Sequence, residues 1–309
     1  MRLAAISVDL DEIPNYASIH GLSGMPAHAS TLVYDRAVER LTAFADAARL
    51  PLTLFAIGDD LARPEAASAL RAAAARGHEL ANHTLSHRYD LTRLPQEQIR
   101  EQVQGGIDAL QKATGHTPAG FRAPGYTIND AVFTALREAD VLYDSSVFPC
   151  PAYYSAKAFA IAGIALRGRS SRSIVDDPRI LLAPTRPYRV GASYRKRGQG
   201  IVEVPIQVTP GARLPVIGTS LMLAGPDRAR WLVRACAGEP LINLELHGID
   251  VLEEADGLAE LAPHQPDVRV PLARKLDTLM AVVNTLRAQG YAFVSLEEAV
   301  RDWSKRGAS

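Results

Sequence analysis

Repeated strand and helix units carrying a mostly parallel sheet, an α/β fold closed as a barrel or laid out doubly wound, are what this 309-residue chain predicts. Three observations lead there. Short apolar runs ending in acids or glycine recur, as in LAAISVDLD and LPLTLFAIG. Between them lie stretches with apolar residues at helical spacing, such as Ala37, Leu41, Phe44 and Ala48. Hydrophobic residues make up 47% of the chain and charged residues 22%, enough apolar material for a large core.

The elements follow in order. YDRAVERLTAFADAARL is a helix joining the first two strands, and RPEAASALRAAAARG is a second helix with Gly77 as its C-cap. HELAN then reads as a strand, PQEQIREQVQGGIDALQKATG as a helix, PAGFRAP as a strand, NDAVFTALREAD as a helix and VLYDSS as a strand. After an interruption come strand GIVEVPI, helix PDRARWLVRACAG, strand LINLELHG, helix PLARKLDTLMAVVNTLRAQG, strand YAFVSL and helix EEAVRDWSK. In such folds chemistry collects where strands end and loops begin.

The interruption, about 148–200, is strongly basic: Lys157, Arg167, Arg169, Arg172, Arg179, Arg186, Arg189, Arg195, Lys196 and Arg197 stand against Asp176 and Asp177. Within it AKAFAIAGIALRG is apolar nearly all round and too short to span a bilayer. A buried helix in a small cap is the expectation, with a membrane-surface or lipid-tail contact as the alternative.

Over the whole chain 34 Lys and Arg balance 34 Asp and Glu, so charge gives no argument for a nucleic-acid partner, and none is expected. Cys150 and Cys236 form no metal-type pair and read as buried free thiols. MRLAAISVDLDE lacks the apolar core of a signal peptide, which makes a cytoplasmic protein the expectation.

Asp9 and Asp11 flank one leucine at the end of the first strand, and a period of two sends both carboxylates to one side. Two acids so placed need a positive neighbour. In NHTLSHRYD, at the end of the third strand, His83 and His87 are either metal ligands or polar residues on a loop or helix face. Two imidazoles and a carboxylate such as Asp11 would bind Zn²⁺ or a similar ion and leave a coordination position open. GFRAPGY ends a strand on Arg122, whose permanent charge can keep a carboxylate ionised. YDSS supplies Asp144, and LELHGID supplies His247.

Together these motifs resemble the polysaccharide deacetylases with the NodB homology domain, similar to carbohydrate esterase family 4. NHTLSH is similar to the family's His-Ser/Thr-x-x-His motif, FRAPGY to its Arg-x-Pro motif and LELHG to its late histidine motif. The resemblance covers most of residues 1–147 and 200–300 and implies one domain over 1–309, a distorted, incomplete (β/α)7-type barrel carrying the basic cap insertion. It implies a divalent metal, Zn²⁺ foremost, held by Asp11, His83 and His87. Asp9 would be the base, His247 the acid, Arg122 the residue that holds Asp9 charged, and Asp144 the orienter of His247. Asp9-Leu10-Asp11 stands where the family usually has adjacent aspartates, so the two acids could exchange roles. Gly125 and Tyr126 depart from the usual Arg-Pro-Pro-Tyr-Gly and supply the expected backbone donor to the oxyanion.

The implied reaction removes an N-acyl group, foremost acetyl, from an amino sugar. Hydrolysis of another small amide on the same fold, of deformylase or allantoinase type, is the nearest alternative. A sugar- or lipid-binding module without catalysis and a non-haem Fe(II) oxygenase are more distant ones. The basic insertion points to an anionic or lipid-linked substrate, so charge reversal at Arg195 and Arg197 should raise KM. Tyr16 and His20 in DEIPNYASIHGLSG, with Asp267 and Arg269 in HQPDVRVP, are further candidates for the rim of the cleft.

Overall fold

A computed structural model describes residues 2–22 and 25–307. Ser23 and Gly24, which end the predicted rim loop, lie outside the described residues. β1 (Arg2–Asp9) is buried along all but its first residue, because it has strands on both sides and apolar neighbours packed on both faces. It pairs in parallel with β2 (Leu52–Ala56), β8 (Leu241–His247) and β9 (Tyr291–Phe293). The sheet continues in parallel from β2 through β3 (Glu79–Asn82), β4 (Gly120–Phe121) and β5 (Tyr143–Asp144) to β7 (Arg197–Glu203). β6 (Tyr188–Val190) adds antiparallel at the edge.

Helices follow the strands: α1 (Ile13–Ile19), α2 (Val38–Ala48), α3 (Pro64–Ala75), α4 (Gln96–Thr114), α5 (Asp130–Glu138), α6 (Pro151–Leu166), α7 (Gly218–Ala235), α8 (Leu272–Ala288) and α9 (Leu296–Gly307). The curled sheet nearly closes. Past β7 the chain donates from Val204 N to Asp144 O (2.8 Å) and from Gln207 N to Asn243 O of β8 (3.2 Å). A few bonds thus stand where a full barrel has a ladder, which makes the fold the incomplete barrel expected.

Four departures from the sequence reading have physical causes. α1 was expected to be loop; Pro14 sits in its first turn, and Ile13, Tyr16 and Ala17 give it a buried stripe. α7 begins before the predicted Pro226 and carries a break at Gly225, whose φ of 74° and ψ of 176° are not helical. β4 and β5 are two residues each, since the chain leaves the sheet as soon as Phe121 and Asp144 have paired. The cap helix α6, expected to be buried, buries only Tyr154 and leaves Phe159 79% and Leu166 89% exposed.

One close approach sets the site. At Gly106 of α4 a Cβ would fall 2.1 Å from Asn82 Oδ1, so only glycine lets the helix rest on the end of β3. Asn82 Nδ2 then donates to Val103 O at 2.9 Å, fixing the residue before His83. Among the described residues no helix is long and apolar enough to cross a membrane. Cys150 and Cys236 are buried and free.

Candidate metal centre and active site

The predicted residues meet at the C-terminal ends of the strands. β1 delivers Asp9 and, two residues on, Asp11; the turn after β3 delivers His83 and His87; β4 leads into Arg122; β8 ends on His247. Asp9 pairs directly opposite His247 in the β1–β8 register, so those two side chains stand side by side.

NHTLSH is a loop and not a helix face. Thr84 (φ 70°) and His87 (φ 53°) both adopt left-handed backbone, a conformation costing about 1–3 kcal/mol each in such residues unless the surroundings impose it. Here they do: His87 N donates to Thr84 Oγ1 (3.1 Å), and Ser86 N and Oγ both donate to Gln102 Oε1 (3.0 Å). The bends bring Nε2 of His83 and Nε2 of His87 to 3.2 and 3.1 Å from Asp11 Oδ1.

These three atoms are buried, yet none makes a hydrogen bond of acceptable geometry. Buried lone pairs converging on one another without donors are costly. They fit a cation, and two imidazoles with one carboxylate are a donor set suited to Zn²⁺ or a similar divalent ion. His83 Nδ1 lies 2.8 Å from Arg122 O, a contact that fixes the ring and leaves Nε2 as the ligand atom. Burial alone would raise the Asp11 carboxyl, but His87 and His83 hold it well below the usual carboxylate range.

Arg122 is fully buried and spends its donors around the barrel interior. Nη1 donates to Asp9 Oδ1 (2.7 Å), Nη2 to Ser7 Oγ (2.7 Å) and Ser145 Oγ (2.9 Å), and Nε to Ser145 O (2.8 Å). Its guanidinium lies 4.2 Å from the centroid of the Phe55 ring. Asp9 Oδ2 is 3.9 Å from His83 Nε2, so the carboxylate faces the cluster with one oxygen and the guanidinium with the other.

The partner of His247 is a correction. Asp144 accepts from Ser146 N (3.1 Å) and Ser146 Oγ (2.7 Å) and is bonded to Glu203, whose carboxyl burial and the Asp144 charge push well above its usual value. That pair sits opposite itself in the β5–β7 register and does not reach His247. Nδ1 of His247 lies 2.9 Å from Glu245 Oε1 instead. Burial would depress the imidazole, but the Glu245 carboxylate raises it well above its ordinary value. Glu245 went unnoticed in the sequence, although LELH places it two residues before His247 on the same face of a strand.

Tyr16, carried by α1, packs its ring edge-on to His247 (6.1 Å), and so does Tyr126 (6.3 Å). Tyr126 N donates to Ala123 O (3.1 Å), so of the two expected oxyanion donors this backbone N–H is already engaged. His20 lies 3.1 Å from Gln265 and stacks on His264, while Asp267 is buried and accepts from Gln265.

Part of the basic insertion covers this region. Lys157 of α6 donates to Gly125 O (3.1 Å), and burial lowers its ammonium to about 8. Arg172 lines a cavity of about 410 Å³ with Ser86, His87, Arg88, Tyr89 and Asp90. Arg195 and Arg197 lie elsewhere. Arg197 starts β7, about 20 Å of strand away from Glu203 at the site end, and Arg195 is in the turn before it.

Fold and cluster define a class: an α/β barrel with a buried site of two histidines and carboxylates at its strand ends. Within that class, residues 30–143 match the polysaccharide deacetylase family, which bears out the resemblance read from the motifs. The matched segment includes His83, His87 and Arg122; Asp9, Asp11 and His247 lie outside it. Among solved structures, the Xyl-CE4 domain of a multidomain xylanase from the hindgut metagenome of Trinervitermes trinervoides is 14% identical, with a TM-score of 0.51 over 98% of this chain and 91% of that one. A protein from Mycobacterium smegmatis assigned as a polysaccharide deacetylase is 21% identical, with a TM-score of 0.51 over 96% and 94%. A carbohydrate esterase family 4 pseudoenzyme from Bacillus anthracis is 13% identical, with a TM-score of 0.51 over 97% and 65%. The shared feature of the three is the fold.

Proposed function

We propose that the chain is a metal-dependent hydrolase that removes an N-acyl group, foremost N-acetyl, from an amino sugar. The observation that carries this reading is the buried Asp11, His83 and His87 cluster with Asp9 and His247 beside it, one carboxylate and one imidazole left over for proton transfer. A divalent ion, Zn²⁺ foremost, held by those three residues would supply Lewis-acid polarisation of the amide carbonyl and of a water.

The remaining steps belong to the chain's own side chains. Asp9, aimed by Arg122, takes a proton from the attacking water. His247, held as imidazolium by Glu245, gives a proton to the amide nitrogen as the C–N bond breaks. The products are the carboxylate and the free amine. Tyr16 and Tyr126 wall the histidine and limit water around it.

The substrate is proposed to be anionic. Lys157 is half-buried with a main-chain oxygen as its hydrogen-bond partner, and Arg172 lines the cavity beside His87. A desolvated ammonium favours a ligand that brings a negative charge. The test is acetate and formate release from a panel of neutral and anionic N-acyl amino sugars, run beside elemental analysis of the purified protein. Acetate release by metal-loaded wild type, with Asp9→Asn retaining metal but turning over at least about 100-fold more slowly, is the expected result. Release by the Asp9→Asn variant at the wild-type rate would overturn the assignment.

A further inference from the structure

α6 holds one charged residue, Lys157, among sixteen, and yet lies on the surface. Its two sides differ. Lys157 turns inward to Gly125 O and to the Tyr153 ring, 5.6 Å away. Half a turn round the helix lie Ala152, Ser155, Phe159, Ala162 and Leu166, at spacings of three and four, and all five are exposed. Arg167 and Arg169 follow the helix directly and are exposed as well. Soluble surfaces seldom collect apolar side chains in this way without an occupant.

We propose that this outer face of α6, with the arginines behind it, docks the protein on an anionic membrane surface. The helix is too short to span a bilayer, at about 24 Å, but long enough to lie along the headgroup boundary with Phe159 and Leu166 inserted. Charge complementarity selects the occupant: Arg167 and Arg169 would meet anionic headgroups. α6 itself carries no carboxylate, so a second copy would bring its own arginines to a helix with no acid to receive them. Lys157, on the inner side of the same helix, reaches the Gly125 turn, so a docked α6 would lie between that turn and the lipid surface.

The test uses the full chain and vesicles of phosphatidylcholine, alone or mixed with phosphatidylglycerol. Wild type should co-sediment with the mixed vesicles and not with the neutral ones. Phe159→Glu combined with Leu166→Glu should weaken that partitioning at least about tenfold. Arg167→Gln and Arg169→Gln should weaken it about fivefold each, with circular dichroism unchanged in all variants. Equal binding to both vesicle types, binding that survives the double glutamate variant, or no binding by wild type overturns the proposal. So does a wild-type dimer that the glutamate variant converts to monomer. Vesicle binding is read without turnover, so this result stands apart from the proposed reaction.

Discussion

Asp9 Oδ1 and Arg122 Nη1 lie 2.7 Å apart, and neither side chain is more than 1% exposed. A pair this deep contributes less by its attraction than removing one member would cost, because the survivor keeps its charge without water. Arg122→Met should therefore destabilise the fold by about 3–5 kcal/mol in urea denaturation. Arg122→Lys, which keeps the charge but cannot fork to Ser7, Ser145 and Asp9 together, should fall between. A loss under about 1 kcal/mol for the methionine variant would mean that the pair is not what holds Asp9 in place.

In the proposed reaction His247 and Glu245 would set the basic side of the pH profile. The raised imidazole is charged below its pKa and loses its proton as pH climbs through it, so turnover should fall there. Glu245→Gln removes the charge that raises it and should move that limb to lower pH. Asp144→Asn, whose carboxyl is turned to Ser146 and Glu203, should leave the limb where it is. Profiles of kcat for the three proteins decide between the two partners, and a limb that follows Asp144 would restore the sequence-based assignment.

The contrast between Asp144 and Glu245 shows what the sequence could carry. His83, His87, Asp9, Asp11, Arg122 and His247 were legible because each follows an apolar run, and a parallel α/β sheet brings the ends of such runs together. Which carboxylate serves His247 was not legible from motif order, since it depends on pairing: β5 is opposite β7, so Asp144 meets Glu203. Strand periodicity alone would have found Glu245. α6 was misjudged for a different reason. Its apolar composition permits burial, but nothing in composition says whether another element is available to cover it.

Glu203 and Asp144 share a fully buried space. Burial and the Asp144 charge raise the Glu203 carboxyl well above its unfolded value. A raised carboxyl contributes stability that is present below its unfolded pKa, about 4.3, and that is lost as pH rises through the folded one. Glu203→Gln, which keeps the shape and never ionises, should match wild type in acid and become the more stable of the two as pH rises. Thermal melts from pH 4 to pH 8 measure this; a difference that shrinks with pH contradicts it.

Metal removal should report on Asp11, His83 and His87 without any substrate. An ion bound only by the folded chain adds about 2.7 kcal/mol at a hundredfold excess over its Kd. Chelation should thus lower the melting temperature of wild type and leave His83→Ala unmoved. Equal responses in the two proteins would remove this cluster as the binding site.

Lys157 gives the most direct handle on substrate charge. Burial lowers its ammonium to about 8, with Asp176 offsetting part of the shift. In the free protein it is charged below that pH and neutral above it, so affinity for an anionic sugar should weaken as pH rises through about 8. Lys157→Met keeps an unbranched apolar stem and removes the charge that lies over the Tyr153 ring. It should raise KM for an anionic N-acyl sugar about tenfold or more, with kcat little changed, and abolish the dependence of KM on pH near 8. For a neutral sugar KM should be the same in both proteins. If the variant instead lowers kcat for both sugars alike, Lys157 acts by shaping the Gly125 turn, and the anionic substrate loses its support.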